Sequence, residues 1–357
     1  MLLGNQLQQA IFVAAKLGIA DLMRDGPKPC DELAAAAGAH PVSLFRLLRA
    51  LAAHGIFAQD EEDRFGLTSL AEPLQSGTPH SVRSFALWSG GVSYQAFGGL
   101  EWSVRTGLPA FESLYGTEFF EYLEQDEESG AIFREMMSRH TAPIADALAE
   151  RDFSGVEKII DVGGGTGEVL AAILSAHPAM RGVLVERPRV LDRAQEVFQR
   201  AGVADRCTAV GGDIVDGVPT GDAYILKSVL HGLADDDAVR VLANCARQLP
   251  PSGVVLVIEF VIPKGNSFYP GKLMDLLMLV GCHGRERTAG EFGELFAAAG
   301  LRLRGVTPSK NGYDIVEGRP GVQVLPRTEA AGLPAAIPIG DQLTEVPGRA
   351  AIRVTRT

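Results

Sequence analysis

The sequence lacks several patterns that mark common classes of protein. Its four cysteines lie far apart and form no Cys-x-x-Cys pair, which argues against a zinc knuckle or a disulfide framework and favours a reducing cytoplasm. No apolar run approaches the ~18 residues of a membrane-spanning helix, and the N-terminus has no basic segment of the kind that opens a signal peptide. No group of histidines and acids has convincing metal-ligand spacing, so we predict no metal site.

Positive charge is also scarce. The chain has 33 Lys and Arg against 44 Asp and Glu, which gives a formal net charge of −11. Nucleic acids and anionic membranes are therefore unfavourable partners. With 357 residues, of which 46% are hydrophobic, the chain can bury a large core and is long enough for two domains.

The most informative stretch is residues 158–170, KIIDVGGGTGEVL, which has the pattern of a buried strand, a glycine-rich turn and the start of a helix. Such a turn lets backbone N–H groups approach a ligand closely. The dinucleotide fingerprint fails, because the sixth position counted from Gly163 is Glu168, and no Gly-Lys-Ser/Thr ending of a phosphate loop follows. What remains is an acid-x-Gly-x-Gly-x-Gly turn made by Asp161, Gly163, Gly165 and Gly167.

Acids follow the next two apolar runs. Glu186 ends the run GVLV and could accept hydrogen bonds from two ribose hydroxyls, and Asp213 follows the third run, where it could meet an adenine amino group. Carboxylates would repel a pyrophosphate, so the pattern favours a nucleoside without phosphates, such as S-adenosylmethionine. A glycine turn with only a structural role is the alternative.

The chain divides by pattern into four parts. Residues 155–317 alternate strands and helices, which predicts an α/β fold with a doubly wound, Rossmann-like, mainly parallel sheet. Residues 1–100 are mostly helical and follow the helix, turn, helix and hairpin order of a winged helix. Their acidic turn favours dimerisation or a lid over DNA binding. Residues 101–154 continue as helix, and residues 318–357 form an irregular tail without periodicity.

A candidate general base follows the fourth apolar run. His231 lies just past a strand end, Glu259 is a carboxylate inside the apolar strand predicted over residues 254–262, VVLVIEFVI, and Glu286 precedes a helix. If both carboxylates converge on His231, they fix its tautomer and stabilise its cation, which suits deprotonation of a phenol or enol. The alternative is that Arg285 or Arg287 pairs with the two acids in an internal ion network.

Phe133 and Met137 lie four residues apart and share one face of a helix. They either pack in the core or roof a flat aromatic substrate, since thioether and ring surfaces accept such shapes.

The motifs DVGGGTG, LVERPRV, GGD, ILKSVLH, VIE and GRERT, in this order, resemble the plant-type class I O-methyltransferases. Bacterial members of that family tailor natural products, often aromatic polyketides and antibiotics. The resemblance extends from about residue 5 to about residue 317 and includes a helical, winged-helix-like N-terminal dimerisation domain. It implies a cytoplasmic homodimer that transfers a methyl group from S-adenosylmethionine, without a metal, to a hydroxyl of an aromatic or polyketide-like small molecule.

The resemblance also implies roles for individual residues. Around the cofactor, these are Gly163 and Gly165 for the methionine end, Glu186 (usually Asp in the family) for the ribose, Asp213 and Ile214 for the adenine, and Lys227 as a further lining residue. The catalytic residues are His231 as base, with Glu259 and Glu286 framing it. The acceptor pocket takes Met137, Met274, Met278 and His283, beside Phe133. The segment GCHGRERT is one residue shorter than the usual plant pattern.

Three other functions remain open at this point. The first is an N- or C-methyltransferase on the same fold, which needs less help from a base. The second is a relative that has drifted to hydroxylation or decarboxylation, and the third is a winged-helix regulator that senses a small molecule.

Overall fold

The structure is a computed structural model that describes residues 2–309 and 312–321. The predicted tail therefore lies outside the described residues from residue 322 onward. In the N-terminal half, the strands are β1 (Lys28–Pro29), β2 (Phe57–Gln59) and β3 (Arg64–Leu67). The helices there are α1 (Gly4–Lys16), α2 (Ile19–Leu22), α3 (Cys30–Ala37), α4 (Pro41–Ala53), α5 (Arg83–Gly90), α6 (Val92–Phe97), α7 (Leu100–Thr106), α8 (Ala110–Tyr115), α9 (Phe119–Gln125) and α10 (Glu127–Ala149).

The remaining elements form the α/β part. Its strands are β4 (Lys158–Val162), β5 (Arg181–Glu186), β6 (Cys207–Gly211), β7 (Ala223–Lys227), β8 (Val254–Glu259), β9 (Leu301–Thr307) and β10 (Asp314–Pro320). Its helices are α11 (Glu168–Ala176), α12 (Leu191–Arg200), α13 (Asp235–Gln248), α14 (Gly271–Gly281) and α15 (Ala289–Ala298). Short 3₁₀ turns span Glu72–Leu74, Pro188–Val190 and Leu230–Gly232.

The N-terminal elements follow the predicted order of helix, turn, helix and hairpin. Helix α4 buries Leu44, Leu48 and Leu51, whose spacing of four and three residues places them on one face. Strand β3 pairs antiparallel with both β2 and β1, which makes a three-stranded sheet. Strand β1 was not predicted, because two residues, one of them a proline, carry no strand periodicity.

The predicted doubly wound, mainly parallel sheet is confirmed. Its strand order is β6-β5-β4-β7-β8-β10-β9, with parallel pairing from β6 to β8 and an antiparallel β10 between β8 and β9. Because side chains alternate across a strand, successive residues of β4 enter opposite cores. Ile159 packs in the core with α10, α11 and α12, and Ile160 packs in the core with α13 and α15.

Two boundaries predicted from sequence were wrong. The apolar run 254–262 does not form one strand, since β8 ends at Glu259 and the chain then turns so that the N–H of Ile262 donates to the carbonyl of Arg287 at 2.9 Å. The irregular segment does not begin at residue 318, because β10 continues to Pro320 and Gly318 pairs with Val255. A glycine is required there, since a Cβ at position 318 would lie 2.7 Å from the ring of Phe296.

The topology brings the carboxyl ends of β6, β5, β4, β7 and β8 to one edge of the sheet, which we call the rim. Ligands of doubly wound sheets bind at this edge. Helix α10 packs against both α5 and α11 and so connects the N-terminal helices to the sheet beside the rim.

Candidate active site

The glycine turn lies at the centre of the rim, directly after β4. Gly163 and Gly165 adopt left-handed backbone conformations, with φ of 66° and 59°. A Cβ at Gly163 would lie 2.9 Å from Cγ2 of Val229 and 3.9 Å from Cδ1 of Ile214. The turn therefore depends on glycine both for its backbone angles and for its close approach to the chain that follows β7.

Glu186 ends β5 and reaches across to this turn. Its Oε2 accepts a hydrogen bond from the N–H of Gly165 at 2.9 Å, and its Oε1 accepts one from the N–H of Arg187 at 2.7 Å. Burial raises the pKa of Glu186, while these two backbone N–H groups oppose the shift. The predicted ribose acid and the predicted glycine turn are thus in direct contact.

The residues predicted to meet an adenine follow β6. The N–H of Gly212 donates to the carbonyl of Glu186 at 3.1 Å, which keeps the end of β6 beside the end of β5. Ile214 is half-buried and packs against the core on the α13 side. Its Cδ1 lies 3.9 Å from the place that a Cβ on Gly163 would occupy, so Ile214 is next to the turn. Asp213 is exposed, and its Oδ1 accepts a hydrogen bond from the N–H of Val215 at 2.9 Å, so its second oxygen is the one available to a ligand.

Asp161 and Lys227 are two buried groups of opposite charge beneath the turn, and no salt bridge joins them. Asp161 is fully buried, and neither of its carboxylate oxygens has a hydrogen-bond partner among the described residues. Burial, with a smaller contribution from the charge of Glu186, raises the pKa of Asp161 to about 7. Burial lowers the pKa of Lys227 to about 8, although the charge of Asp161 opposes that shift. The Nζ of Lys227 lies 5.4 Å from the ring centroid of Tyr313.

His231 lies on the chain that follows β7. Its Nδ1 is 2.8 Å from Oε1 of Glu286, and its side chain is 14% exposed. Burial alone would lower the pKa of His231, but the hydrogen bond and charge of Glu286, with the charge of Glu259, outweigh burial, so the pKa is raised. A carboxylate only accepts, so the neutral ring carries its proton on Nδ1 and leaves Nε2 unprotonated.

Glu259 contacts the backbone of this segment. Its Oε1 accepts hydrogen bonds from the N–H of His231 at 3.0 Å and from the N–H of Val229 at 3.1 Å. Burial raises the pKa of Glu259, which is fully inaccessible to solvent. The predicted convergence on His231 is therefore realised in two different ways, since Glu286 contacts the imidazole and Glu259 holds the main chain.

The alternative in which a neighbouring arginine neutralises these acids is wrong. Arg285 pairs with Asp235 at 2.9 Å and with Glu291 at 2.5 Å. Arg287 pairs with Asp235 at 2.7 Å. Neither guanidinium group forms an ion pair with Glu259 or Glu286, the two carboxylates that contact the His231 segment.

Phe133 and Met137 lie in an aromatic cluster on α10. The ring of Phe133 packs edge-on against Trp88, with centroids 5.1 Å apart, and against Phe119, with centroids 5.4 Å apart. Met137 joins the same cluster, and both Phe133 and Met137 are only half-buried. Their packing in this cluster agrees with the core-packing interpretation, and each side chain also keeps part of its surface exposed.

Helix α14 carries Met274 and Met278, with Asp275 between them. Met274 packs against the sheet core, and Sδ of Met278 lies 3.7 Å from Sγ of Cys282. Asp275 Oδ1 accepts a hydrogen bond from the N–H of Glu286 at 2.9 Å, so this helix lies directly beside the His231–Glu286 pair.

His283 is separate from these residues. Its Nε2 pairs with Glu112 of α8 at 2.8 Å, and its side chain is 48% exposed. The structure therefore shows His283 as a surface partner of α8.

Sequence reasoning missed several residues of this site. Asp275 could have been found as an isolated acid in the apolar helix sequence LMDLLMLVG. Trp88 and Phe119 belong to no sequence motif. Sequence could not reveal their contacts with Phe133, because those contacts depend on tertiary packing. Arg287 was considered only as a partner for the acids, whereas its contacts are with Asp235 and with main-chain carbonyls.

Metal-holding groups and membrane-crossing helices are both absent from the described residues. Within residues 2–309 and 312–321, no group of three or more His, Cys, Asp or Glu side chains is arranged to hold a metal ion. In the same residues, no helix has the length and apolar character needed to cross a membrane.

Residues 97–302 match a family model described as an O-methyltransferase domain, and residues 1–76 match an O-methyltransferase dimerisation domain. The chain belongs to the O-methyltransferase family. The N-terminal match supports a homodimer of this O-methyltransferase.

Similar proteins with assigned activities are bacterial enzymes of secondary metabolism. A phenazine O-methyltransferase of Lysobacter antibioticus is 44% identical over 90% of this chain and 94% of its own length. An aclacinomycin 10-hydroxylase of Streptomyces purpurascens is 37% identical over 84% of this chain and 83% of its own length, so the same fold also carries another reaction.

Solved structures agree with this assignment. The crystal structure of LaPhzM has a TM-score of 0.84 and 43% identity, and covers 90% of this chain and 97% of its own. An O-methyltransferase from neocarzinostatin biosynthesis, solved with S-adenosylmethionine and 2-hydroxy-5-methyl naphthoic acid, has a TM-score of 0.79 and 36% identity, and covers 88% of this chain and 95% of its own.

S-adenosylmethionine is the cofactor of this O-methyltransferase. The rim fits it, because the turn at Gly163 leaves a cradle that a Cβ would fill and Glu186 presents a carboxylate that can accept hydrogen bonds from hydroxyls. The acids Asp161, Glu186 and Asp213 at the ends of successive strands also suit a cationic ligand without phosphates.

Proposed function

We propose that this enzyme methylates a hydroxyl group on a planar aromatic small molecule of secondary metabolism, with His231 as general base. The observation that carries the proposal is the 2.8 Å contact between Nδ1 of His231 and Oε1 of Glu286. That contact fixes the tautomer in which Nε2 can take a proton, and it stabilises the imidazolium that results.

The chemistry divides between cofactor and protein. When bound, S-adenosylmethionine supplies an electrophilic methyl group on a sulfonium. His231 takes the hydroxyl proton on Nε2, and Glu286 stabilises the resulting imidazolium. The methyl group that the oxygen gains would come from the cofactor, with breakage of its carbon–sulfur bond and S-adenosylhomocysteine as the leaving group. A phenol has a pKa near that of tyrosine, about 10, so its proton needs a base, and a positioned general base contributes roughly 10²- to 10⁴-fold. The rest of the rate depends on orientation of the hydroxyl.

The cofactor residues that we propose lie along the rim. Gly163 and Gly165 hold the methionine end, Glu186 the ribose, Asp213 and Ile214 the adenine, and Lys227 lines the site. The hydrogen bond between Glu186 and Gly165 and the closeness of Ile214 to Gly163 support this set. We also propose that the enzyme belongs to the plant-type class I branch of the family. We further propose that the chain has the four parts expected from its sequence, with the end of the sheet-containing part moved to Pro320.

The acceptor pocket that we propose has two walls. One is the aromatic cluster on α10, with Phe133 and Met137, and the other is α14, with Met274 and Met278. The half-buried state of these four residues and the contact of α14 with Glu286 support the assignment. His283 would contribute only through its pair with Glu112 at the outer end of α14. Phenazine and naphthoic acid in the names of similar proteins favour a fused aromatic acceptor.

The test is methyl transfer itself. The purified homodimer is incubated with S-adenosylmethionine and either 1-hydroxyphenazine or 1,4-dihydroxy-2-naphthoic acid, and products are identified by mass spectrometry. We expect a product heavier by one methylene unit, in which NMR shows that the new methyl group is bonded to a former hydroxyl oxygen. A product methylated at nitrogen or carbon would contradict the proposal, and so would activity that is unchanged in His231→Gln.

The drifted relative is the second candidate, because a hydroxylase has 37% identity to this chain. The His231–Glu286 contact argues against it, since removal of a proton from a hydroxyl is the step that this pair serves. Oxygen uptake with retention of S-adenosylmethionine would favour the hydroxylase. Localisation in the cytoplasm is proposed from the four free cysteines and the need for the cofactor.

A further inference from the structure

The segment that carries His231 is held by a buried arginine. Among the residues that the structure describes, Arg287 is the largest side chain that is fully buried, with 0% exposure. A buried guanidinium is costly unless every donor is satisfied. In the sequence, Arg287 directly follows Glu286, the residue in contact with the imidazole of His231.

All five N–H donors of Arg287 are used. Nη1 donates to the carbonyls of Leu230 at 2.9 Å and Arg285 at 3.2 Å. Nη2 donates to the carbonyl of Leu233 at 3.2 Å and to Oδ1 of Asp235 at 2.7 Å, and Nε donates to the same Oδ1 at 3.2 Å. The planar fork thus binds two main-chain carbonyls, one on each side of His231.

The opposite side of the segment is held by other groups. Oε1 of Glu259 accepts from the N–H groups of Val229 and His231. Gly284 packs so closely on the segment that a Cβ there would lie 1.9 Å from the carbonyl oxygen of His231. The main chain of His231 is therefore fixed by an anion that binds its N–H groups and a cation that binds the neighbouring carbonyls.

We propose that Arg287 is a positioning residue for methyl transfer, which acts through His231 by holding the carbonyls of Leu230 and Leu233. This inference rests on the proposed role of His231 as base. Asp235 alone does not account for the arrangement, because Arg285 already pairs with Asp235 from the solvent side. A lysine cannot replace Arg287, since an ammonium on a flexible stem has three donors and no fork.

The first experiment compares two neighbouring arginines. Arg287→Lys keeps the charge and removes the fork, and Arg285→Lys is the matched control, since Arg285 pairs with Asp235 but binds neither carbonyl. With S-adenosylmethionine and 1-hydroxyphenazine, we expect kcat to fall by roughly 10- to 100-fold in Arg287→Lys, because small misplacement of a reacting group has effects of this size. The Kd for S-adenosylmethionine should stay within about threefold, and Arg285→Lys should be unchanged within about threefold, as surface ion pairs contribute little.

A double variant tests whether Arg287 acts through the histidine. If it does, His231→Gln combined with Arg287→Lys should be no slower than His231→Gln alone, because effects of residues that act as a unit are not additive. Multiplication of the two single effects would overturn the proposal, as would a kcat within about threefold of wild type in Arg287→Lys.

A spectroscopic readout separates this proposal from that of the base. The Nδ1–H signal of His231 is identified in ¹⁵N-histidine spectra by its loss in His231→Gln. In Arg287→Lys we expect this signal to broaden or shift and the pKa of His231 to fall, while both stay unchanged in Arg285→Lys. If His231→Gln keeps full activity, the base proposal fails, and an unperturbed signal in Arg287→Lys then overturns the positioning proposal as well.

Thermal unfolding and calorimetric titration with S-adenosylmethionine establish that each variant is folded. If Arg287→Lys does not fold, Asp235→Asn replaces it, since loss of the charged acceptor that orients the guanidinium weakens its hold on the carbonyls of Leu230 and Leu233. We then expect a smaller fall in kcat with the same shift of the His231 signal. An Asp235→Asn enzyme with wild-type kcat and a wild-type signal would overturn the proposal.

Discussion

Glu286 and His231 are 55 residues apart in sequence and in contact through Oε1 and Nδ1 at 2.8 Å. Glu286 is 0% exposed in its side chain, so the partner of the imidazole is shielded from water. Its N–H is in turn held by Asp275 of α14. The contact therefore links the rim of the sheet to a helix of the proposed acceptor pocket.

Replacement of Glu286 should change the pH dependence of methyl transfer. The pKa of His231 is raised above its ordinary value, chiefly because the contribution of Glu286, with that of Glu259, exceeds the opposing effect of burial. Activity of the wild type should fall as pH drops through this raised pKa, since the imidazolium cannot accept a proton. In Glu286→Gln the pKa should be lower, so the acidic limb of kcat against pH should move to lower pH.

The plateau in Glu286→Gln should also drop by roughly tenfold or more, because the ring loses its fixed tautomer. Asp192→Asn, an exposed change on α12, serves as control. An acidic limb at the same pH in Glu286→Gln and in wild type would contradict the assignment of that limb to His231.

Glu186 should determine cofactor affinity by its carboxylate rather than by its length. We expect Glu186→Gln to weaken S-adenosylmethionine binding by roughly tenfold or more, since hydrogen bonds to a charged acceptor contribute about 1.5–3 kcal/mol. Glu186→Asp, the residue usual in the family, should retain binding within several-fold. Calorimetric titration measures both. Equal affinity in the wild type and in Glu186→Gln would place the ribose elsewhere.

Gly163→Ala should abolish cofactor binding. The new Cβ would lie 2.9 Å from Val229 and would require a left-handed φ of 66°, so the turn must move. Gly217→Ala is a suitable control, because no atom lies within 4 Å of its Cβ and its φ is not positive. Binding of S-adenosylmethionine by Gly163→Ala with wild-type Kd would show that the turn is not the cradle.

Asp161 should make the stability of the cofactor-free enzyme depend on pH. Its pKa is about 7 in the folded chain against an ordinary value of 3.8. Between these values, an unfolded chain has released this proton while the folded chain retains it, so rising pH favours unfolding across that window. Asp161→Asn does not titrate, and its Tm relative to wild type should therefore rise between about pH 4 and pH 7 and then level off.

Thermal unfolding at a series of pH values checks this expectation. Asp192→Asn should instead run parallel to the wild type, because that residue is exposed. Parallel curves for Asp161→Asn and wild type would mean that Asp161 is solvated or paired in the folded enzyme.

Much of the α/β part could be predicted, because buried parallel strands are continuous apolar runs and the acids at their ends stand out. The contact between Glu186 and Gly165 follows from strand order once the sheet is assumed, whereas the contact between Glu286 and His231 depends on the loop before α15. Sequence could not show that Glu259 holds main-chain N–H groups rather than the imidazole, since that depends on where β8 ends.

Other features depend on tertiary packing. Trp88 reaches Phe133 only because α5 packs on α10, and no local pattern encodes that contact. His283 was expected in the acceptor pocket by its position near GRERT, but in the fold its Nε2 pairs with Glu112 of α8, a contact that no local pattern encodes. The five hydrogen bonds of Arg287 go largely to backbone carbonyls, whose positions a sequence does not display.

The groups that fix His231 belong to β8 and to the segment leading into α15, whereas Phe133 and Phe119 belong to α10 and α9. Substitutions that reshape the aromatic wall can therefore accumulate without disturbing proton transfer. Among the elements that the structure describes, α14 contacts the group that fixes His231, since Asp275 accepts a hydrogen bond from the N–H of Glu286. New acceptor preferences should consequently arise most readily through changes in α9 and α10, in evolution or in the laboratory. Exchange of these helices between homologues should yield enzymes that accept different substrates and keep the His231 base intact.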